Sequence, residues 1–170
     1  MEIKFIADEM NGNLAKWLRI LGYDCLYPKG GDNLDEKILR TAEKEKRIVL
    51  TADRELFRTC VKRGIKAVYT PFVQIEEKLA YLIRKLNLSV DFSLAPRCTI
   101  CNHKLRYVHS DELKGKLDEG IIRRYKKFWV CDNCGKIYWE GSHWINIKRT
   151  IESSLKLSKK VISEKDENHL

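Results

Sequence analysis

No stretch of eighteen consecutive apolar residues occurs in the 170-residue chain, which argues against a membrane-spanning helix. The opening "MEIKFIADEM" lacks a basic region followed by a long apolar run, so it does not read as a signal peptide. The expected location is therefore intracellular, the cytoplasm. No internal repeat is visible. With 44% hydrophobic residues the chain can supply a real core, and its length suits one domain with an appendage or two small domains.

What is present is basic charge. The formal net charge is +9, with 17 Lys and Arg against 14 Asp and Glu over residues 1–96, and 16 against 10 over 97–170. The excess sits in the C-terminal part and favours a polyanionic partner, nucleic acid first. The bland alternative is a cell whose soluble proteins are rich in Lys and Glu.

The first 90 residues alternate strand and helix. "IKFIA" (3–7) is a strand, and Leu14, Trp17, Leu18 and Leu21 then fall on one face of a helix over 12–22. "YDCLY" is a second strand, residues 34–46 a second helix, and "IVLT" (48–51) a third strand. A helix over 54–63, the strand "KAVYT" (66–70) and a helix over 74–87 complete the series. This order predicts a parallel sheet with helices on both faces. "SVDFSLAP" (89–96) reads as a linker, and after it come short hairpin-like pieces, cysteines, and tyrosine and tryptophan clustered near 125–144. The expected organisation is an α/β domain over 1–90, a cysteine domain over 97–150, and a helix end with a fraying polar tail over 151–170.

Two of the buried strands end on acids. Asp8 lies just past the first and Asp53 just past the third, while Asp32, Asp35 and Glu36 surround the start of the second helix. In a parallel sheet these positions share one edge, the edge at which open α/β sheets bind ligands. Clustered carboxylates oppose one another's ionisation, and a divalent cation such as Mg²⁺ or Mn²⁺ removes that cost and serves phosphate chemistry. Each acid also has a simpler role open to it, as a helix cap or a partner of the helix dipole.

The six cysteines divide into two kinds. Cys98 with Cys101 and Cys131 with Cys134 form two C-x-x-C pairs, 29 residues apart, the spacing of a structural Cys₄ zinc site with no open ligand position. Cys25 and Cys60 stand alone and read as buried thiols, with a disulfide between them left open. The segment 111–127 inserts a helix or loop between the two pairs.

"RRYKKFW" (123–129) interleaves basic and aromatic residues just before the second pair. Arg123, Arg124, Lys126 and Lys127 suit phosphate contact. The aromatics either stack on unpaired bases or pack inside the lobe. Lys16 and Arg19 project from the side of the first helix opposite its apolar stripe, to touch phosphate near Asp8 or to be solvated. His143 in "GSHW" reads by default as a packing residue, with catalytic base and metal ligand as the other roles.

"FIADEMNGNLAKWLRILGYD" (5–24), "DEKILRTAEKEKRIVLTADREL" (35–56), the paired C-x-x-C and "KIYWEGSHW" (136–144) together resemble the Mut7-C RNase domain family. The resemblance spans about residues 3–148 and implies a PIN-type ribonuclease fold followed by a zinc ribbon. It further implies Mg²⁺- or Mn²⁺-dependent cleavage of RNA by Asp8, Asp35 and Asp53. PIN nucleases usually add a fourth acid, for which Asp24, Asp32 or Glu36 would stand here. Two rival readings are a non-catalytic RNA- or ribosome-associated module and a zinc-ribbon protein–protein adaptor, the latter leaving the acidic edge unexplained.

Overall fold

The computed structural model describes residues 2–90 and 95–160. Four short strands, β1 (Lys4–Ala7), β2 (Asp24–Leu26), β3 (Ile48–Thr51) and β4 (Ala67–Tyr69), pair in parallel in the order β2-β1-β3-β4. Helices α1 (Gly12–Ile20), α2 (Leu34–Glu45), α3 (Arg54–Lys62) and α4 (Ile75–Leu86) connect or follow them. A short 3₁₀ turn, Glu9–Asn11, leads into α1. The α/β alternation expected from the sequence is the architecture found.

Strand alternation divides the core in two. Phe5, Ala7 and Leu50 point to the side where α1 and α4 supply Leu14, Leu18, Leu79 and Leu82. Ile6 and Val49 point to the other side, where Ile38, Leu39, Leu56 and Cys60 come from α2 and α3. Cys25 belongs to the first core and Cys60 to the second, so the two thiols sit on opposite faces of the sheet and are not paired.

The second lobe carries an antiparallel sheet of β5 (Arg106–Val108), β6 (Phe128–Val130) and β7 (Ile137–Trp139) in chain order. The insertion expected between the cysteine pairs is a 3₁₀ turn, Ser110–Leu113, followed by the short helix α5 (Glu119–Arg124). Phe128 is fully buried against Val108 and Leu113.

One element is longer than expected, since the sequence pointed only to a helix end beyond residue 151. Helix α6 (His143–Lys159) starts inside the range expected for the cysteine domain and packs along α4. Ile147, Ile151 and Leu155, spaced one helical turn apart, join the first core. Ile151 is 3% exposed. The chain therefore leaves the α/β core and returns to complete it. The central part of the expected linker, 91–94, and the expected polar tail, 161–170, lie outside the described residues.

Candidate functional site: an acidic sheet edge and a four-cysteine knuckle

In the order β2-β1-β3-β4 the chain first steps outward from β1 to β2, then crosses back to lay β3 on the other side of β1. The carboxyl ends of β1 and β3 thus flank the point where the winding reverses, the usual ligand crevice of an open parallel sheet. Asp8 follows β1 directly, and Asp53 comes two residues after β3.

Asp8 is buried and held by three hydrogen bonds to its carboxylate. Its Oδ2 accepts the Thr51 hydroxyl at 2.6 Å and the Ala52 amide at 2.9 Å, and its Oδ1 accepts Asn11 Nδ2 at 2.9 Å. Thr51 is a polar residue ending an apolar strand, and Asn11 is fully buried. The Asn11 carbonyl oxygen in turn accepts Lys78 Nζ at 2.9 Å and the Thr70 hydroxyl at 3.2 Å. Burial pushes the Lys78 ammonium below its usual range, against the opposing pull of the Asp8 charge. Sequence reasoning missed Asn11, Thr51 and Lys78. The signal available was Thr51, a hydroxyl where the strand pattern calls for an apolar residue.

Asp35 is exposed in the first turn of α2. Partial burial and the charges of Asp53, Asp8 and Glu9 hold its carboxyl above the usual range. Asp53 and Asp8, which sequence order separates from Asp35, therefore act on it. Glu9 is a neighbour that the reading of the sequence overlooked. Its side chain accepts the Gly30 amide at 3.0 Å.

Asp53 is the N-cap of α3. Its Oδ1 accepts the amides of Glu55 at 2.6 Å and Leu56 at 3.1 Å. Two of the acids put forward as a fourth ligand are engaged elsewhere. Asp24 begins β2, hence lies at the opposite edge, and its carboxylate takes Arg47 and Asn102. Glu36 pairs with Arg40 and Arg63 on the surface.

Among the described residues, the four cysteines are the group of metal-ligating side chains that converges to within 4.8 Å, and Asp8, Asp35 and Asp53 are not drawn together that tightly. The Cys98 and Cys134 sulfurs lie 3.5 Å apart and those of Cys101 and Cys131 3.4 Å. Zn–S bonds of about 2.3 Å in a tetrahedron set sulfurs about 3.8 Å apart, whereas a disulfide needs about 2 Å. The cluster can hold zinc.

The two knuckles repeat one geometry. Asn102 and Gly135, each following the second cysteine of its pair, take positive φ of 68° and 74°. Their amides donate to the carbonyls of Cys98 at 2.9 Å and Cys131 at 2.8 Å. Glycine meets no steric penalty there, and asparagine is among the few other residues that visit the region. Burial pushes the Cys101 thiol up, but hydrogen bonds involving Asn133, His103, Cys131 and Cys98 outweigh it and bring it to about 6. Cys98 is lowered as well, whereas burial pushes Cys131 up to about 12 and Cys134 is also raised, so the four crowded thiols do not ionise alike.

Arg19 corrects an expectation. It is 5% exposed, and its Nε donates to the Cys25 carbonyl at 2.8 Å. Its Nη1 donates to the carbonyls of Thr99 at 2.8 Å and Ile100 at 3.3 Å. The face of α1 opposite the apolar stripe is covered by the first knuckle, so Arg19 clamps the lobes together and is not presented to phosphate. Lys16 is exposed on α1.

Arg123, Arg124, Lys126 and Lys127 are all exposed, around the end of α5. Arg123 pairs with Glu119 at 3.2 Å, and Lys127 lies 3.8 Å from Glu140. His143 is exposed as the first residue of α6, so it is not a buried packing residue.

The fold and site together define an α/β chain with acids at its winding reversal and a four-cysteine knuckle, able to hold zinc, docked on its edge strand. A family model described as Mut7-C RNAse domain matches residues 3–151, and the chain belongs to that family. No curated protein and no solved structure matches it.

Proposed function

We propose that the chain is a PIN-like, metal-dependent endoribonuclease acting in the cytoplasm, with a zinc ribbon that helps hold the RNA. The family's description supports a ribonuclease role. The single observation that carries the reading is the placement of Asp8 and Asp53 just past the carboxyl ends of β1 and β3, beside the winding reversal, with Asp35 in the first turn of α2.

In this reading Asp8, Asp35 and Asp53 hold Mg²⁺ or Mn²⁺, with Glu9 adding negative charge. Carboxylates are the donors such hard ions prefer, and ions that retain several waters do not require the acids to touch. Bound there, the ion would polarise a phosphodiester oxygen and lower the pKa of a coordinated water. Thr51 and Asn11 orient the Asp8 carboxylate, and Lys78 offers a cation beside it that suits a substrate phosphate. Cys98, Cys101, Cys131 and Cys134 hold structural zinc. Arg123, Arg124, Lys126, Lys127 and Lys16 contact the RNA backbone.

A second reading is favoured by one observation, the use of Asp53 Oδ1 as a helix cap. On that reading the chain is a non-catalytic RNA- or ribosome-associated module. The test is cleavage of labelled single-stranded and structured RNA with Mn²⁺, wild type against Asp8→Asn, together with Mn²⁺ titration of the zinc-loaded protein. A nuclease cleaves only as wild type and binds Mn²⁺ separately from its zinc. Absence of both would leave the non-catalytic reading standing.

A further inference from the structure

A groove of about 520 Å³ opens between the second lobe and the end of α1 and start of α6. Its volume is within the range of small-ligand sites. Trp129, Tyr138, Trp139 and Trp144 line it, so three of the chain's four tryptophans meet there. Lys127 and Lys136 stand among them, with Glu140 the acid of the lining. His143 completes this wall, and Gly141 beside it is buried. A Cβ on Gly141 would come within 2.9 Å of Trp139 Nε1 and 3.3 Å of the His143 ring.

We propose that this groove is a binding subsite for an unpaired RNA nucleotide, the base stacking among the tryptophans and its phosphates meeting Lys127 and Lys136. The proposal rests on the RNA reading above and names a place where the strand is held away from the acidic edge. Charge decides the occupant. Lys127 belongs both to the groove wall and to the exposed basic run 123–127, so the run adjoins the aromatic cleft in sequence. An apolar peptide or a lipid chain would use only the aromatic half of the lining, whereas the exposed Lys127–Glu140 pair at 3.8 Å is loose enough for a phosphate to compete with. A nucleotide uses both halves of the lining, since every base has a stacking face and every linkage a negative charge.

The position fits a strand passing both sites. Asp8 lies before the start of α1 and the groove begins at Ile20, its last residue. Nine helical residues span about 13 Å. A duplex cannot present an unstacked base to the groove, so the subsite selects single-stranded segments.

The experiment titrates zinc-loaded protein with single-stranded oligoadenylate in buffer free of added divalent ions, following tryptophan fluorescence, with a duplex as the comparison. Single strands should quench the wild type and bind more tightly than duplex. Trp139→Ala should lower affinity about 5- to 100-fold, the range for loss of one base stack. Trp139→Phe should recover most of it. Zinc content and melting temperature report folding, and Lys136→Gln, on an exposed side chain, tests the subsite without touching its core. Binding unchanged by Trp139→Ala and Lys136→Gln, yet lost on neutralising Arg123, Arg124 and Lys126, would overturn the subsite and leave the RNA reading intact. Equal quenching by the duplex would also overturn it. Failure of the wild type to bind any RNA would overturn both.

Discussion

Asn102 donates its side-chain N–H to Asp24 Oδ1 at 2.8 Å, across 78 positions of sequence. The same side chain accepts the Cys25 amide through its Oδ1 at 3.1 Å. Cys25 lies in β2, the edge strand of the parallel sheet, where a neighbouring strand would otherwise supply that acceptor. A residue of the metal knuckle thus finishes the edge of the α/β sheet, and the clamp by Arg19 runs alongside it.

Replacing Asn102 by Gly keeps the positive φ and removes both bonds. The Cys25 amide then loses its acceptor and the Asp24 carboxylate keeps only Arg47, which should cost about 1–3 kcal/mol. Urea unfolding monitored by far-ultraviolet circular dichroism measures it. Acid resistance should fall too. Burial pushes the Asp24 carboxyl up, but the bonds from Arg47 and Asn102 outweigh it and hold it below the usual value. A depressed carboxyl contributes stability above its unfolded pKa, and that contribution is lost as pH falls through the folded value. Without Asn102 the loss begins at higher pH, so the acid-unfolding midpoint of the variant should rise.

Zinc should therefore stabilise more than the lobe that contains it. Elemental analysis should find about one Zn per chain. Cys101→Ser or stripping with a chelator should lower the melting temperature of the α/β core as well, because Asn102, Arg19 and the returning helix α6 tie it to the knuckle. Unchanged melting of the N-terminal core after metal loss would show that these contacts contribute little.

The alternation of strands and helices was legible because it is local. Apolar runs such as "IVL" and the stripe Leu14, Trp17, Leu18, Leu21 carry their period within a dozen residues. The acids at strand ends were legible through topology, since parallel strands bring their ends to one edge. Arg19 was not legible. Its position on α1 reads as solvent-facing, and only a knuckle 80 residues away turns that face inward. Asn11 and Lys78 were invisible for the same reason, their roles arising from one side chain reaching another. Of helix α6 only an end beyond residue 151 was legible, although Ile147, Ile151 and Leu155 recur every fourth residue, a single-sided stripe that needs a partner helix.

Asp35 should make the metal-free protein less stable than its neutral counterpart. Partial burial and the charges of Asp53, Asp8 and Glu9 raise its carboxyl above the usual range. For a raised acid the sign reverses: the ionised form is penalised in the folded state, and the penalty is relieved as pH falls through the folded pKa. Asp35→Asn should therefore stabilise the metal-free protein at neutral pH and have no such effect at pH below the unfolded value. The gain should stay within about 1 kcal/mol, the ceiling for solvent-screened charges. Thermal melts at two pH values, without Mg²⁺ or Mn²⁺, read it out.

Neutralising Arg123, Arg124, Lys126 and Lys127 to Gln should weaken RNA binding and flatten its salt dependence. Each lost phosphate contact on a single strand should reduce the slope of log K against log salt by about 0.7. The pairing of Arg123 with Glu119 is between exposed groups and should hold the arginine back little. An unchanged slope across a salt series would assign the four residues to a solvated face.

Asp53 and Asp8 separate structure from chemistry. Asp8 accepts three hydrogen bonds, two of them on Oδ2, so Asn at that position replaces an acceptor by a donor facing Thr51 and the Ala52 amide or loses the Asn11 bond instead. Asp8→Asn should cost about 1–3 kcal/mol whatever the function, and its loss of activity must be read beside its melting curve. Asp53 makes both cap bonds through Oδ1, and Asn caps a helix about as well as Asp. Asp53→Asn should accordingly fold with wild-type stability to within about 0.5 kcal/mol. If Asp53 holds Mg²⁺ or Mn²⁺, the variant should lose Mn²⁺ affinity and RNA cleavage together while still binding RNA in zinc-loaded form. Intact Mn²⁺-dependent cleavage by a fully folded Asp53→Asn protein would reduce Asp53 to a helix cap and remove it from the metal site.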